Sequence, residues 1–196
     1  WAGSRMDGCI TLEIEGETVG EEQGEILFTE YGISGIGVFQ LSRYAVRGTD
    51  EGKIATYHLD LMPKMTKEEL VKYLADRKRQ NGNYKNPQEL LIGLLPKKII
   101  DVLVKKNYEQ VRIAEKLKDW QVSVKGAYAL RQAQICSGGV DSEQLTDQLE
   151  SRLYPGVYFA GEVIDVDGPC GGYNLQWAWS SGAVAGKAAA REGRTL

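Results

Sequence analysis

The stretch from Tyr154 to Ala190 gathers the residues whose types and spacing could do chemistry. An apolar run, Val157 to Ala160, reads as a strand ending at Gly161. A loop containing Gly171-Gly172 follows, and a helix rich in small residues begins near Tyr173. A strand end, a loop and a helix start place unpaired backbone N–H groups and the positive end of a helix dipole at one point, where an anionic or electron-rich ligand group can be held. Ordinary strand-to-helix connections look the same, so this junction alone leaves both readings open. Asp165 and Asp167, two apart in the loop, could orient hydroxyl groups or bind a metal, or simply cap turns. Trp177, Trp179 and the small residues Ser180, Ser181, Gly182, Ala183 and Ala185 read as a helix packed tightly on a sheet.

Other chemistries find little support. Cys9, Cys136 and Cys170 are odd in number, far apart and without Cys-x-x-Cys spacing, so neither a disulfide framework nor a structural zinc site follows. His58, the single histidine, sits in the alternating run Ala55 to Leu61 and reads as structural, which leaves no histidine for a Ser-His-Asp centre. Net charge is −3 but uneven: Lys64 to Lys118 holds 14 Lys and Arg against 7 Asp and Glu, a surplus of +7 that leaves −10 elsewhere. These charges are spaced along amphipathic helices with few interleaved aromatics, which favours a solvated helical face over nucleic acid. Apolar and charged contents of 42% and 26% are those of a globular chain, and no apolar run reaches membrane-spanning length. The expectation is a cytoplasmic protein without membrane or nucleic-acid partners.

The elements that must position the junction follow from periodicity. Cys9 to Ile14 alternates as a half-buried strand, an acidic turn region runs to Gly24, and Glu25 to Thr29 is a second strand. Ser34 is the expected N-cap of a helix through Val38, Leu41 and Tyr44 or Ala45, with Gly35 and Gly37 allowing either tight packing or a ligand near its start. Gly48 to Gly52 reads as a turn before a third strand, Lys53 to Leu61, which Pro63 ends. Thr66-Lys67-Glu68-Glu69 is a capping box for a helix with Leu70, Tyr73 and Leu74 buried, reaching about Arg79. Asn81-Gly82-Asn83 breaks it, and Asn86-Pro87 restarts the pattern. Leucines and isoleucines from Leu90 to Leu103 form core rather than a cofactor box, and a last helix covers about Tyr108 to Asp119. Trp120 to Lys125 returns to strand periodicity. Ala133 to Cys136 reads as a short strand ending at Ser137-Gly138-Gly139-Val140, where a glycine pair permits close approach.

Gly24-Glu25-Ile26-Leu27-Phe28-Thr29-Glu30-Tyr31-Gly32-Ile33-Ser34-Gly35, Ser137-Gly138-Gly139-Val140, Pro155 to Gly168, and Gly171-Gly172-Tyr173-Asn174-Leu175-Gln176-Trp177-Ala178 together closely resemble the YhiN-like or BaiN-like (HI0933-like) bacterial family of FAD-dependent, NAD(P)-linked oxidoreductases. These separated blocks, in the right order, span almost the whole chain. Family members begin with a dinucleotide-binding unit carrying G-x-G-x-x-G. This chain has no such fingerprint, so the resemblance implies a C-terminal portion. The implied fold is α+β: a β-barrel-like substrate domain (1–62 and 120–134), an inserted basic helical subdomain (63–119), and a strand-loop-helix return of the FAD-binding domain (135–196). The implied cofactor is FAD, bound in part here, with NAD(P)H as electron donor. The partners are a small-molecule substrate and the N-terminal FAD-binding half. By the same resemblance Gly161 and Glu162 lie toward the ribityl and phosphate end, and Gly171, Gly172, Tyr173, Asn174 and Leu175 at the ring, where a helix N-terminus stabilises a reduced flavin, while Asp165 is counted with the cofactor-binding residues as one that could orient ribityl hydroxyls. Glu30, Tyr31 and Tyr173 are candidate acid–base residues without an assigned role. The other reading is a non-catalytic binding domain that does not hold FAD by itself.

Overall fold

Alternation of side chains along the N-terminal strands folds the chain onto one apolar sheet face. In the computed structural model, which describes residues 1–81, 84, 86–105, 107–127, 131 and 133–192, strands β1 (Arg5–Ile14), β2 (Glu17–Phe28), β3 (Ile33–Ser34), β4 (Ala55–Asp60) and β5 (Trp120–Ser123) form an antiparallel sheet in the order β3-β2-β1-β4-β5. Ile10, Leu12, Ile26, Phe28, Tyr57 and Leu59 point to the core, while Thr11, Glu21, Gln23 and His58 take the other face. The chain divides into two compact units, residues 1–127 and 128–196.

The acidic stretch expected as a turn is instead the first half of β2. Its core-side positions include Gly20 and Gly24, so the apolar signal of a strand is missing there. The actual hairpin turn is Glu15-Gly16, with φ of 53° and 85°, as a two-residue loop matching strand twist requires. Glycine at position 20 has a packing cause: a Cβ there would lie 2.8 Å from Leu41 Cδ2 of helix α1 (Ile36–Asp50). The same close approach explains Gly37 and Gly48, whose added Cβ atoms would each lie 3.0 Å from a Cδ1, of Ile10 and Ile14 respectively. The glycines after β3 therefore serve packing rather than a ligand.

Two further expectations are corrected here. Ser34 does not cap α1: it pairs with Leu27 in β3 and is buried, and the cap is Gly35 with no side-chain bond. Helix α1 also runs through Asp50, absorbing the first residues expected in the turn, because the buried Gly48 continues its packed stripe. The capping box is present as read: Thr66 Oγ1 accepts from Glu69 N–H at 3.1 Å and Glu69 Oε2 accepts from Thr66 N–H at 2.9 Å, at the start of α2 (Lys67–Asn81). Of the predicted break at Asn81-Gly82-Asn83, Asn81 is the last residue of α2, and Gly82 and Asn83 lie outside the described residues. Asn86 caps a 3-10 turn, Pro87–Leu91, and α3 (Lys97–Leu103) and α4 (Gln110–Lys118) follow.

These helices add Leu70, Leu74, Leu90, Leu91, Ile99, Ile113 and Leu117 to the sheet's own buried cluster, so sheet and helices share one continuous core. Sheet curvature is visible in one aromatic contact. Phe28 of β2 and Trp120 of β5 stack with centroids 5.5 Å apart, although three strand spacings of ~4.8 Å separate their strands in a flat sheet. The sheet therefore curls as a half-barrel, and Trp1 seals the fold against both rings at 5.6 and 5.4 Å. His58 bridges strand and helix end, with Nδ1 2.7 Å from Asp119 Oδ1.

Two outcomes are expected. Gly35 holds φ 118° and a Cβ there would run into the Glu25 carbonyl oxygen, so Gly35→Ala should destabilise unit one by about 2–4 kcal/mol, read as a lowered urea midpoint. Burial and the neighbouring Glu21 and Asp60 push the Cys9 thiol up to about 11. At pH 8 the exposed Cys136 should therefore alkylate in the native protein while Cys9 reacts only after unfolding, as peptide mass mapping would show. Equal labelling of both would contradict this burial.

Candidate functional site

The second unit organises around helix α5 (Tyr173–Glu192) and the loops before it. The run Val157 to Ala160 does not form a ladder strand: Tyr158 makes an isolated bridge with Glu150, and Ser151 N–H donates to Val157 O at 2.8 Å. Nor is Ala133 to Cys136 a strand. An apolar run becomes a strand only when a neighbour offers its backbone groups, and neither run meets a regular strand among the described residues.

Gly161, at φ 78°, opens a 3-10 turn, Gly161–Val163. Its backbone is engaged on both sides. Gly161 N–H donates to Ser181 Oγ at 2.9 Å, and Gly161 O accepts from the Trp177 indole N–H at 3.1 Å. The Ser181 hydroxyl in turn donates to Trp177 O at 2.6 Å. Ser181 is 1% exposed, so this small residue is a fastening between turn and helix. Its small size suggests packing alone; the hydroxyl one helical turn from a tryptophan is the sequence signal for this second role.

Glu162 and Asp165 face a loop rather than an open cavity. Glu162 Oε1 accepts from Cys136 N–H at 3.0 Å, Asp165 Oδ1 accepts from Gly138 N–H at 3.0 Å, and Ser137 Oγ donates to Asp167 Oδ2 at 2.8 Å. Val140 N–H donates to Val163 O and Asp165 N–H to Val140 O, at 2.8 and 2.9 Å. Gly139, at φ 141°, sits so close to the Val163 carbonyl that a side chain would collide with it. The glycine pair read at a strand end thus allows backbone-to-backbone approach. No group of three or more His, Cys, Asp or Glu side chains able to hold a metal occurs among the described residues.

Gly171, Gly172, Tyr173, Asn174 and Leu175 form a different environment. Gly171 and Gly172 have φ of 121° and 100°, and added Cβ atoms there would meet nothing within 4 Å. Tyr173 and Leu175 are 62% and 70% exposed. Asn174 folds back on the loop, its Oδ1 accepting from Gly168 N–H at 2.8 Å and its Nδ2 donating to Gly168 O at 3.2 Å. Gln176 N–H makes the first helical bond, to Gly172 O at 3.0 Å. The amides of Tyr173, Asn174 and Leu175 lie in the first turn, where helix geometry supplies no partner. These residues make an open, glycine-led, positively polarised helix start, of the kind that can receive an anionic or electron-rich group. Tyr173 belongs to this start, whereas Glu30 and Tyr31 lie in the first unit, in the tight turn closed by Thr29 N–H donating to Gly32 O at 2.8 Å.

Comparison with known proteins supplies the family. A family model described as "HI0933-like protein Rossmann domain" matches residues 3–188, and the chain belongs to the HI0933-like family. It is 37% identical over 203 residues to a 3-dehydro-bile acid delta(4,6)-reductase of Clostridium scindens, covering 96% of this chain and 49% of that protein. It is 34% identical over 193 residues to a ribosomal RNA dihydrouridine synthase of Escherichia coli, covering 92% of this chain and 45% of that protein. A Haemophilus influenzae protein of the same description is 34% identical over 170 residues, covering 80% of this chain and 40% of its own length. The chain thus spans about half the length of the curated relatives it matches.

Removing the Ser181 hydroxyl leaves the half-buried Gly161 N–H without its acceptor. Ser181→Ala should cost about 1–3 kcal/mol of stability, with faster amide hydrogen exchange at Gly161 and Glu162 but not in the sheet.

Proposed function

We propose that the chain is the C-terminal portion of a flavoprotein oxidoreductase that passes hydride between NAD(P)H, FAD and an organic substrate. The observation that carries this reading is the open helix start from Gly171 to Leu175 in a member of a Rossmann-type family. Bound FAD would supply the two-electron relay between the nicotinamide and the substrate. The residues of this chain would bind and orient. The first-turn amides of α5 would face the pyrimidine edge, where the positive helix end favours the charge of the reduced ring. Gly171 and Gly172 would admit the ring without a side chain in the way. Glu162 and Asp165, through their bonds to Cys136 and Gly138, would hold the Ser137-Gly138-Gly139 loop beside that start.

The relatives' names narrow the reaction class. Delta(4,6)-reduction of a 3-dehydro bile acid and formation of dihydrouridine both describe saturation of a carbon–carbon double bond conjugated to a carbonyl. Such a saturation adds hydride to the β-carbon and a proton to the α-carbon, and we take this as the class of substrate. A small enone is the preferred substrate. An RNA uracil is the second reading, favoured only by the two dihydrouridine synthase relatives. No helix of the described residues is long and apolar enough to cross a membrane, and the proposed compartment is the cytoplasm.

The chain should be fused to the part of the Clostridium scindens reductase that it does not cover, and flavin absorbance followed anaerobically. The expected result is retained FAD, bleaching by NADH or NADPH, and reoxidation by an enone. Reoxidation by ribosomal RNA alone would select the second reading, and a colourless fusion would end the flavoprotein reading. Gly172→Ala, which strains φ 100°, should weaken FAD binding about tenfold.

A further inference from the structure

A cleft of about 460 Å³ lies between the start of α2, the outer stripe of α4 and β5, wholly within the first unit. That volume falls in the range of ~300–1,000 Å³ that small-molecule sites occupy. Lys67, Arg112, Lys116 and Lys118 face Glu115 and Asp119 across it, four cations against two carboxylates, a surplus of +2. The helical period puts Arg112, Glu115, Lys116 and Asp119 on one stripe at the cleft. Lys67 is the first residue of α2, so the positive end of that helix belongs to the same wall.

The charges are not evenly matched. Lys118 is spent on Asp60 Oδ2 at 2.5 Å and on the carbonyls of Met62 and Met65 at 3.1 and 2.6 Å. The Asp119 carboxylate is divided between His58 Nδ1, 2.7 Å from Oδ1, and Gln121 Nε2, which donates to Oδ2 at 2.9 Å. Lys67, Arg112 and Lys116 are left with one carboxylate, Glu115. Its Oε1 accepts from Lys67 Nζ at 3.0 Å and its Oε2 from Arg112 at 3.1 Å, so both of its oxygens are engaged. Lys116 is half-buried and has no ion-pair partner among the described residues. A partly desolvated ammonium without a counter-charge is a cost that an entering anion would offset.

We propose that this cleft binds a small phosphate ester with free hydroxyl groups, the size of a phosphorylated pentose. The phosphate lies among Lys67, Arg112 and Lys116, where a dianion balances the surplus charge and the guanidinium offers two parallel donors. The hydroxyl groups meet Asp119 and Gln121, which supply acceptors and a donor. Along α4 the two ends of the cleft stand ~10 Å apart, seven residues at 1.5 Å each from Arg112 to Asp119. Glu115 acts as an internal anion that draws Lys67 and Arg112 together and competes with the ligand for both. No aromatic side chain lines the cleft, so the stacking that single-stranded nucleic acid uses is missing there. The site needs neither flavin nor nicotinamide, and its outcome is independent of the flavoprotein reading.

The test is calorimetric titration of the full 196-residue chain with ribose 5-phosphate, inorganic phosphate and ribose at one ionic strength set with sodium chloride. Ribose 5-phosphate should bind more tightly than phosphate, and ribose not measurably. Arg112→Gln and Lys116→Gln should each weaken ribose 5-phosphate about tenfold, and Glu115→Gln, which frees two cations, should tighten it about threefold. Gln121→Ala should lower the affinity for ribose 5-phosphate to that for phosphate and leave phosphate unchanged. Ion pairs this exposed contribute little to stability, so each variant should keep its melting temperature. Lys97→Gln, on α3, is the control for general attraction between charges. No binding, a loss in Lys97→Gln equal to that in Lys116→Gln, or weaker binding in Glu115→Gln would each overturn the proposal. Tighter binding of an oligouridine than of ribose 5-phosphate, abolished by the same substitutions, would overturn it in favour of a nucleic-acid surface.

Discussion

The 2.9 Å bond from Gly161 N–H to Ser181 Oγ fixes the second unit, because it joins two segments that have few other reasons to meet. Gly161 makes it with φ at 78°, a conformation that suits glycine. Once the 3-10 turn is seated on α5, the backbone that follows must place Glu162 and Asp165 toward Cys136 and Gly138. Asn174 then secures Gly168 through both of its amide atoms, so the loop between turn and helix is held at both ends. The exposed amides of the helix start are what this arrangement leaves over. Glu162, Asp165 and Asn174 are engaged with the loop instead.

The first unit obeys a different economy. Its sheet buries one face under α1 and the later helices, and Phe28, Trp120 and Trp1 close the curl with three ring contacts between 5.4 and 5.6 Å. Charged groups are placed where they cost little. Glu115, held below the usual carboxylate range by Lys67 and Arg112, links α2 and α4 at the surface. Lys118 is spent on Asp60 and on the carbonyls of Met62 and Met65. Part of the basic surplus of this region is thereby consumed by structure, and the helices that carry it share the sheet's core.

Much of this was legible in the residues. Alternation located β1, β4 and β5, the capping box fixed the start of α2, and the Gly-Gly-Tyr-Asn block marked the start of α5. What escaped follows one physical rule. The early part of β2 has glycine where a strand usually has an apolar side chain, because Leu41 of α1 fills that space. Ser34 has the chemistry of a cap but is taken by Leu27 across the sheet. Val157 to Ala160 has strand composition without a regular strand beside it among the described residues. Local preference was readable; which neighbour wins a residue was not, since that is a property of the packed whole. In the site, the glycines and Tyr173 were readable as an open helix start, whereas the partners of Glu162 and Asp165 lie in a loop more than 20 residues away in sequence, and that of Ser181 is Gly161 on the far side of the junction.

Gly37 and Gly48 of α1 and Gly182 and Gly186 of α5 look alike as letters, a glycine pair in a helix of small and apolar residues. In α1 both spaces are filled by Ile10 and Ile14, so those glycines are explained within the chain. In α5 both spaces are empty, and a glycine in a helix interior is a weakness unless something approaches it. The helix start at Gly172 and Tyr173 is the end of this same rigid rod, ~30 Å long at 1.5 Å per residue. A tilt of about 10° pivoted at its far end moves the first-turn amides ~5 Å, more than a hydrogen bond tolerates. Whatever seats the bare face of α5 therefore also decides where those amides point, and the chemistry of the helix start is subordinate to the packing of the helix.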